Sequence, residues 1–156
     1  MIDKNGYRSN VAIIILNKNN RVFWAKRKNR RSWQFPQGGV SFGESALQAM
    51  YRELHEEVGL RPHNVELIAS TREWHKYDIP KSLLRKKEPI CIGQKQKWFL
   101  LRLKASENNI DLEANDTPEF DNWCWVNYWY PINHVVRFKQ EIYRTALTYF
   151  KTYISM

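Results

Sequence analysis

Gly38-Gly39-Val40-Ser41-Phe42-Gly43-Glu44-Ser45-Ala46-Leu47-Gln48-Ala49-Met50-Tyr51-Arg52-Glu53-Leu54-His55-Glu56-Glu57-Val58-Gly59-Leu60 is the stretch from which the rest of the chain can be read. From Glu44 to Val58, the apolar residues Ala46, Ala49, Met50, Leu54 and Val58 follow a 3.6-residue period, which predicts a helix with one core-facing stripe. Gly59 supplies its stop signal. On a helix, residues three and four apart are neighbours, so Glu53, Glu56 and Glu57 crowd together. Carboxylates this close raise one another's pKa unless positive charge sits among them, and Arg52 cannot neutralise all three. Hard oxygen ligands of this kind suit Mg²⁺ or Mn²⁺, and Mg²⁺ typically combines a few carboxylates with phosphate oxygens and water.

Outside this acidic cluster the chain is basic, with a formal net charge of +9. The cations gather at Lys26-Arg27-Lys28, Arg30-Arg31, Lys81, Arg85-Lys86-Lys87, Lys95 and Lys97. Such a field favours polyanions: nucleic acid, nucleotides or an anionic membrane. A solvated acidic helix face is the plain alternative for the glutamates. The glycine pair just upstream and the basic surroundings favour metal-assisted attack of water on a phosphate instead.

The 156 residues suffice for one domain, 1–156, with its own core, and 43% apolar content excludes a disordered chain. No apolar run approaches the roughly 20 residues needed to span a bilayer. The polar start MIDKNGYRSN has no apolar segment of a secretory signal, so neither export nor a membrane is expected. Cys91 and Cys124 lack metal-ligand spacing and are expected as buried free thiols in a reducing cytoplasm.

Val11 to Leu16 reads as a strand buried on both faces, and after the turn at Asn17 to Asn20, Arg21 to Ala25 reads as its hairpin partner. Val65 to Thr71, parts of Glu73 to Ile79, Lys97 to Leu103 and Asn122 to Val126 read as further strands. Pro80 to Gln96 reads as a long basic irregular stretch. Pro131 onward reads as helical, with a last stripe of Ile142, Ala146, Tyr149, Phe150 and Tyr153, while Trp123, Trp125 and Trp129 are expected in the core. This order predicts an α/β fold, a mixed sheet with helices on both sides.

The spacing Gly, five residues, Glu, seven residues, then Arg-Glu-apolar-X-Glu-Glu-X-Gly-apolar is filled by Gly38, Glu44, Arg52, Glu53, Leu54, Glu56, Glu57, Gly59 and Leu60. It resembles the box of the Nudix hydrolases, here over residues 38–60. The resemblance implies an α/β/α sandwich, divalent-cation dependence and hydrolysis of a phosphoanhydride. It also implies Glu53, Glu56 and Glu57 as metal ligands, with the Gly38 carbonyl close to the metal. Glu57 becomes a candidate base, Arg52 an orienter of the glutamates and Glu44 a supporting acid.

The flanks narrow the substrate. Trp33-Gln34-Phe35-Pro36-Gln37-Gly38-Gly39, Gly6-Tyr7-Arg8, Ile92 to Leu101, Thr117-Pro118-Glu119-Phe120-Asp121 and Tyr128-Trp129-Tyr130-Pro131 resemble the bacterial RNA pyrophosphohydrolase branch over essentially the whole chain. That implies 5′-triphosphorylated or diphosphorylated RNA as substrate, trimming to a 5′-monophosphate that promotes mRNA decay, and Glu119 as a further catalytic and metal-binding acid. Arg8, Arg27, Ser32 and Gln37 become candidates for gripping phosphates or ribose, as do Gln94 and Gln96. Val136, Phe138, Lys139 and Tyr77 become candidates for holding a base or the backbone near the 5′ end. The alternative that shares the box is hydrolysis of dinucleoside polyphosphates. The sequence is silent on protein partners.

Overall fold

A computed structural model describes every residue except Arg85, Lys87, Ser155 and Met156. Its centre is an eight-stranded mixed sheet with the path β3-β2-β1-β7-β5. The strands are β1 (Tyr7–Leu16), β2 (Val22–Arg27), β3 (Trp33–Gln34), β4 (Gln37–Gly39), β5 (Val65–Ser70), β6 (His75–Asp78), β7 (Gly93–Leu103) and β8 (Phe120–Val126). β1 and β7 run parallel from Tyr7↔Gly93 to Leu16↔Arg102, and the other pairings are antiparallel. β4, β6 and β8 pair with β1, β7 and β2 respectively, off the main path.

Alternation along β1 assigns its side chains to two cores. Ala12, Ile14 and Leu16 join Trp24, Phe35, Trp98 and the buried residues of α3 (Gln140–Lys151), with Ile132 of the short α2 (Tyr130–His134). Val11, Ile13 and Ile15 join Phe23, Phe99 and the Ala49, Met50, Leu54 and Val58 stripe of α1 (Ala46–Val58). The sheet therefore lies between helices on both faces, the expected α/β/α sandwich with a mixed sheet. No helix among the described residues is long and apolar enough to cross a membrane.

α1 begins at Ala46 rather than Glu44, because Ser45 caps it: its hydroxyl accepts from the Gln48 amide while the Gln48 side chain accepts from the Ser45 amide. Gly59 ends it at φ 78, where its amide donates to the His55 carbonyl at 2.9 Å. A Cβ there would stand 2.7 Å from the Asp111 carbonyl oxygen, so both conformation and space require glycine.

Several expectations are corrected. β1 and β2 form the expected antiparallel hairpin around Asn17 to Asn20 but share only the pair Leu16↔Val22, because β4 takes the neighbouring edge of β1 and β2 pairs along its length with β8. β1 and β7 each begin four residues before the expected strand, at Tyr7 and Gly93, and the irregular stretch after Pro80 ends accordingly. Of the basic run at 85–87, Arg85 and Lys87 lie outside the described residues. Tyr149 on α3 and Tyr153 in the turn after it are 40% and 48% exposed, and Tyr143 and Leu147 of α3 fill the core in their place. Trp129 is 39% exposed, while Trp123 and Trp125 pack half-buried at the margin of the α1-side core. Cys91 and Cys124 are free, but Cys124 is exposed on β8 and Cys91 only half-buried.

Candidate active site

Arg52 commits its whole guanidinium to the α1 end of the site. Nε and Nη2 donate to the two Glu44 oxygens at 2.7 and 2.9 Å. Nη2 also reaches the Gly39 carbonyl at 2.8 Å, and Nη1 reaches Glu53 and Glu56 at 2.7 and 3.3 Å. Glu44 in turn accepts from the Ser41 amide at 2.9 Å, so the turn before α1 is locked to Arg52. The guanidinium beside it holds the Glu44 carboxyl down to about 2. Arg52 thus answers Glu53 and Glu56, as the charge count foresaw, and makes no bond to Glu57.

Glu53 and Glu57 are buried, and Glu56, on the same side of the helix, is half-exposed. Burial foremost, then the charge of Glu53 beside it, pushes the Glu57 carboxyl well above the usual carboxylate range. Burial likewise raises Glu53, against the pull of Arg52. Glu57 Oε2 is buried with no hydrogen-bond partner. Gly38, on β4, lies so close that a Cβ would overlap the Glu53 carboxylate. A buried, unpartnered carboxylate oxygen next to further carboxylates fits a divalent cation. Among the described residues, no group of three or more His, Cys, Asp or Glu is already closed into a metal cage. Arg52 draws Glu53 and Glu56 to itself, and Glu119, in the loop before β8, lies 3.7 Å from Arg27 Nε.

These acids form one wall of a cavity of about 410 Å³. Arg8, Arg27, Gln37 and Lys139 line it as well, and so do Gly38 and Glu119. The side of β1 and β7 turned to the cavity is polar at this end, and it supplies Arg8, Asn10 and Gln94. A chain of amides runs across the floor: Gln96 Nε2 donates to Asn10 at 2.8 Å and to Gln37 at 3.4 Å. Lys139 Nζ donates to Gln34 and Gln37 at 3.2 and 3.1 Å. Burial, with Arg27 nearby, pushes the Lys139 ammonium down to about 8.

Five of the substrate-contact candidates stand outside this lining; one of them, Gln96, is fully buried and serves only in the floor beneath it. The Ser32 carbonyl accepts from the Arg27 amide at 2.9 Å, closing the basic turn. Tyr77 is buried behind the floor, its hydroxyl 3.5 Å from Gln37 Nε2, and its ring packs against Phe138 at 5.9 Å. Those two rings line a separate depression of about 380 Å³. Val136 is 43% exposed. The cavity also includes Asn10, Gln34 and Asn115, which the sequence reading did not single out. For Gln34 the available signal was a glutamine set between Trp33 and Phe35, a polar residue where β3 should bury one.

The model of the NUDIX domain matches residues 6–146. The chain belongs to the Nudix family. Within the Nudix proteins it is 77% identical, over 99% of its length and 100% of the relative's, to RNA pyrophosphohydrolase of Francisella tularensis subsp. tularensis. RNA pyrophosphohydrolase of Francisella philomiragia is 76% identical over the same shares. The Nudix fold is matched by the Escherichia coli dihydroneopterin triphosphate pyrophosphohydrolase at a TM-score of 0.73 and 23% identity, covering 92% of this chain and 96% of that one.

Proposed function

We propose that this protein is an RNA 5′ pyrophosphohydrolase, which converts 5′-triphosphorylated or diphosphorylated RNA to the 5′-monophosphate by hydrolysing a phosphoanhydride. The observation that carries this reading is the 77% identity to an RNA pyrophosphohydrolase from end to end of both chains. The cavity agrees with it: carboxylates on one wall face cations and amides on the other.

Glu53, Glu56, Glu57 and Glu119, with the Gly38 carbonyl, would hold a divalent cation, Mg²⁺ or Mn²⁺. Such a cation lowers the pKa of bound water and offsets charge on phosphate oxygens. The protein's own part is orientation and proton transfer. Arg52 fixes Glu44, Glu53 and Glu56. Arg8, Arg27 and Lys139 bring positive charge to the phosphate end. A water oxygen bonds to the attacked phosphorus as the bridging P–O bond breaks. Its proton passes to Glu57 or Glu119, and phosphate or pyrophosphate leaves with the bridging oxygen. Gln37 and the amide floor orient the 5′ end, while Ser32, Val136 and Phe138 border the path of the following nucleotides and Tyr77 backs the Phe138 ring. A transcript-trimming enzyme with free thiols works in the cytoplasm, where its product enters mRNA decay.

The test is release of labelled phosphate from triphosphorylated RNA with and without Mg²⁺, beside diadenosine tetraphosphate. The reading requires Mg²⁺-dependent release and a higher specificity constant on RNA. A higher constant on the dinucleotide would replace it with the dinucleoside polyphosphate activity.

A further inference from the structure

The segment Thr117 to Asp121 carries two acids, and only Glu119 reaches the cavity. Asp121 points elsewhere for a reason visible in the strand register. β8 pairs Asn122 with Lys26 and then Phe120 with Arg27, so Asp121 is skipped as a β-bulge. Bulges re-aim a side chain at the price of one ladder pair. Here the carboxylate turns onto the end of β2 and the connection that follows it. Asp121 Oδ1 accepts from Lys26 Nζ at 2.9 Å, and Oδ2 accepts from the same ammonium and from the Asn29 amide, both at 3.2 Å. The Lys28 amide donates to the Glu119 carbonyl at 2.8 Å. The turn itself is tight, with Asn29 at φ 60 and the Arg30 amide on the Arg27 carbonyl at 3.1 Å.

These bonds bracket Arg27 and Glu119, which stand side by side in the cavity lining. Their 3.7 Å separation is an ion pair outside hydrogen-bond reach, and Arg27 Nε has no hydrogen-bond partner. Without the bracket, the half-buried Arg27 and the exposed Glu119 are free to close into a bidentate fork that occupies the donors of one and the oxygens of the other.

We infer that Asp121 is a positioning residue: it latches the basic turn to the Glu119 loop and so presets the spacing of Arg27 and Glu119. The inference rests on the proposed reading of the cavity as the place where RNA 5′ phosphates are hydrolysed. Arg27 then keeps its donors for a phosphate, and Glu119 keeps its oxygens for the cation. Lys26 is the other half of the latch.

The test uses Asp121→Asn, Lys26→Met, their double variant and Lys26→Arg, whose planar fork can still pair with Asp121. Three quantities are read: hydrogen exchange at the Lys28 amide, Mn²⁺ affinity of the free protein by electron paramagnetic resonance, and kcat and KM on a triphosphorylated RNA. Asp121→Asn and Lys26→Met should each speed Lys28 exchange, weaken Mn²⁺ binding and raise KM, the last two by about 10-fold, as loss of an orienting partner typically does. The double variant should be no worse than either single one, and Lys26→Arg should match the wild type. A loss confined to kcat in proportion to misfolded protein would overturn the latch. So would wild-type exchange and Mn²⁺ affinity in the single variants, or additive effects in the double. If the wild type itself does not turn over the RNA, the functional reading fails, while exchange and Mn²⁺ affinity still decide the latch.

Discussion

Arg52 and Glu44 meet as two parallel hydrogen bonds, Nε to Oε2 at 2.7 Å and Nη2 to Oε1 at 2.9 Å. Because the folded carboxyl sits at about 2, against an ordinary value of 4.5, the pair has a defined pH signature. A lowered acid stabilises the fold fully above its unfolded pKa and loses that contribution as pH falls through the folded value. In metal-free buffer, Glu44→Gln should melt roughly 5 °C below the wild type at pH 7. The gap should narrow between pH 4.5 and 2. A gap independent of pH in thermal melts would show that the charge of Glu44 is not what matters.

Glu57 presents the opposite balance. Its carboxyl is buried, raised and half unpartnered, so the metal-free fold is less stable for having it ionised. Glu57→Gln should therefore cut RNA turnover by at least about 10³-fold, the scale of a lost base, while melting no lower than the wild type with chelator at neutral pH. A variant that still released phosphate at a wild-type rate would remove Glu57 from catalysis.

Lys139 should couple stability to alkaline pH. Its folded ammonium is pushed down to about 8 from an ordinary 10.5. A lowered base weakens the fold while charged: its penalty is absent above the unfolded pKa, grows as pH falls from there, and is complete below the folded one. Wild-type stability should rise between pH 8 and 10.5, relative to Lys139→Met, in metal-free melts. The same variant should raise KM for triphosphorylated RNA by about 10-fold through loss of a charge-assisted phosphate contact. Parallel melting curves across that range would contradict the burial of this charge.

Gly38→Ala tests the closeness of β4 to α1. The added methyl overlaps the Glu53 carboxylate, which must move or force the strand away. Turnover should fall about 10²-fold, the usual effect of a displacement near 1 Å at reacting groups. Near-normal kcat would mean that Glu53 tolerates another position.

The box could be read because its chemistry is local: Arg52, Glu53, Glu56 and Glu57 sit on adjacent helical turns, so their spacing carries their geometry. The opposite wall could not be read in the same way. Tyr7 to Asn10 and Gly93 to Gln96 are strand residues, yet their polar side chains interrupt the apolar alternation that marks a strand. They are polar because Arg8, Asn10 and Gln94 line the cavity, so the site itself hid the ends of the strands that build it. Tyr149 and Tyr153 keep helical spacing with Ala146 but fall outside the buried arc, which Tyr143 and Leu147 complete. Asp121 is visible in the sequence as an acid, and only the register of β8 on β2 reveals what it touches.

The parallel ladder of β1 and β7 joins residues far apart in the chain, from Tyr7↔Gly93 onward. During synthesis, the first of these strands leaves the ribosome long before the second. Until β7 arrives, the apolar run Val11 to Leu16 has an open edge, a hazard for aggregation of the nascent chain. The amide floor cannot form earlier either, since Gln96 must reach Asn10 and Gln37. Docking of this late strand is thus the slow, non-local event of folding, and the same event that closes the core switches on the capacity for chemistry.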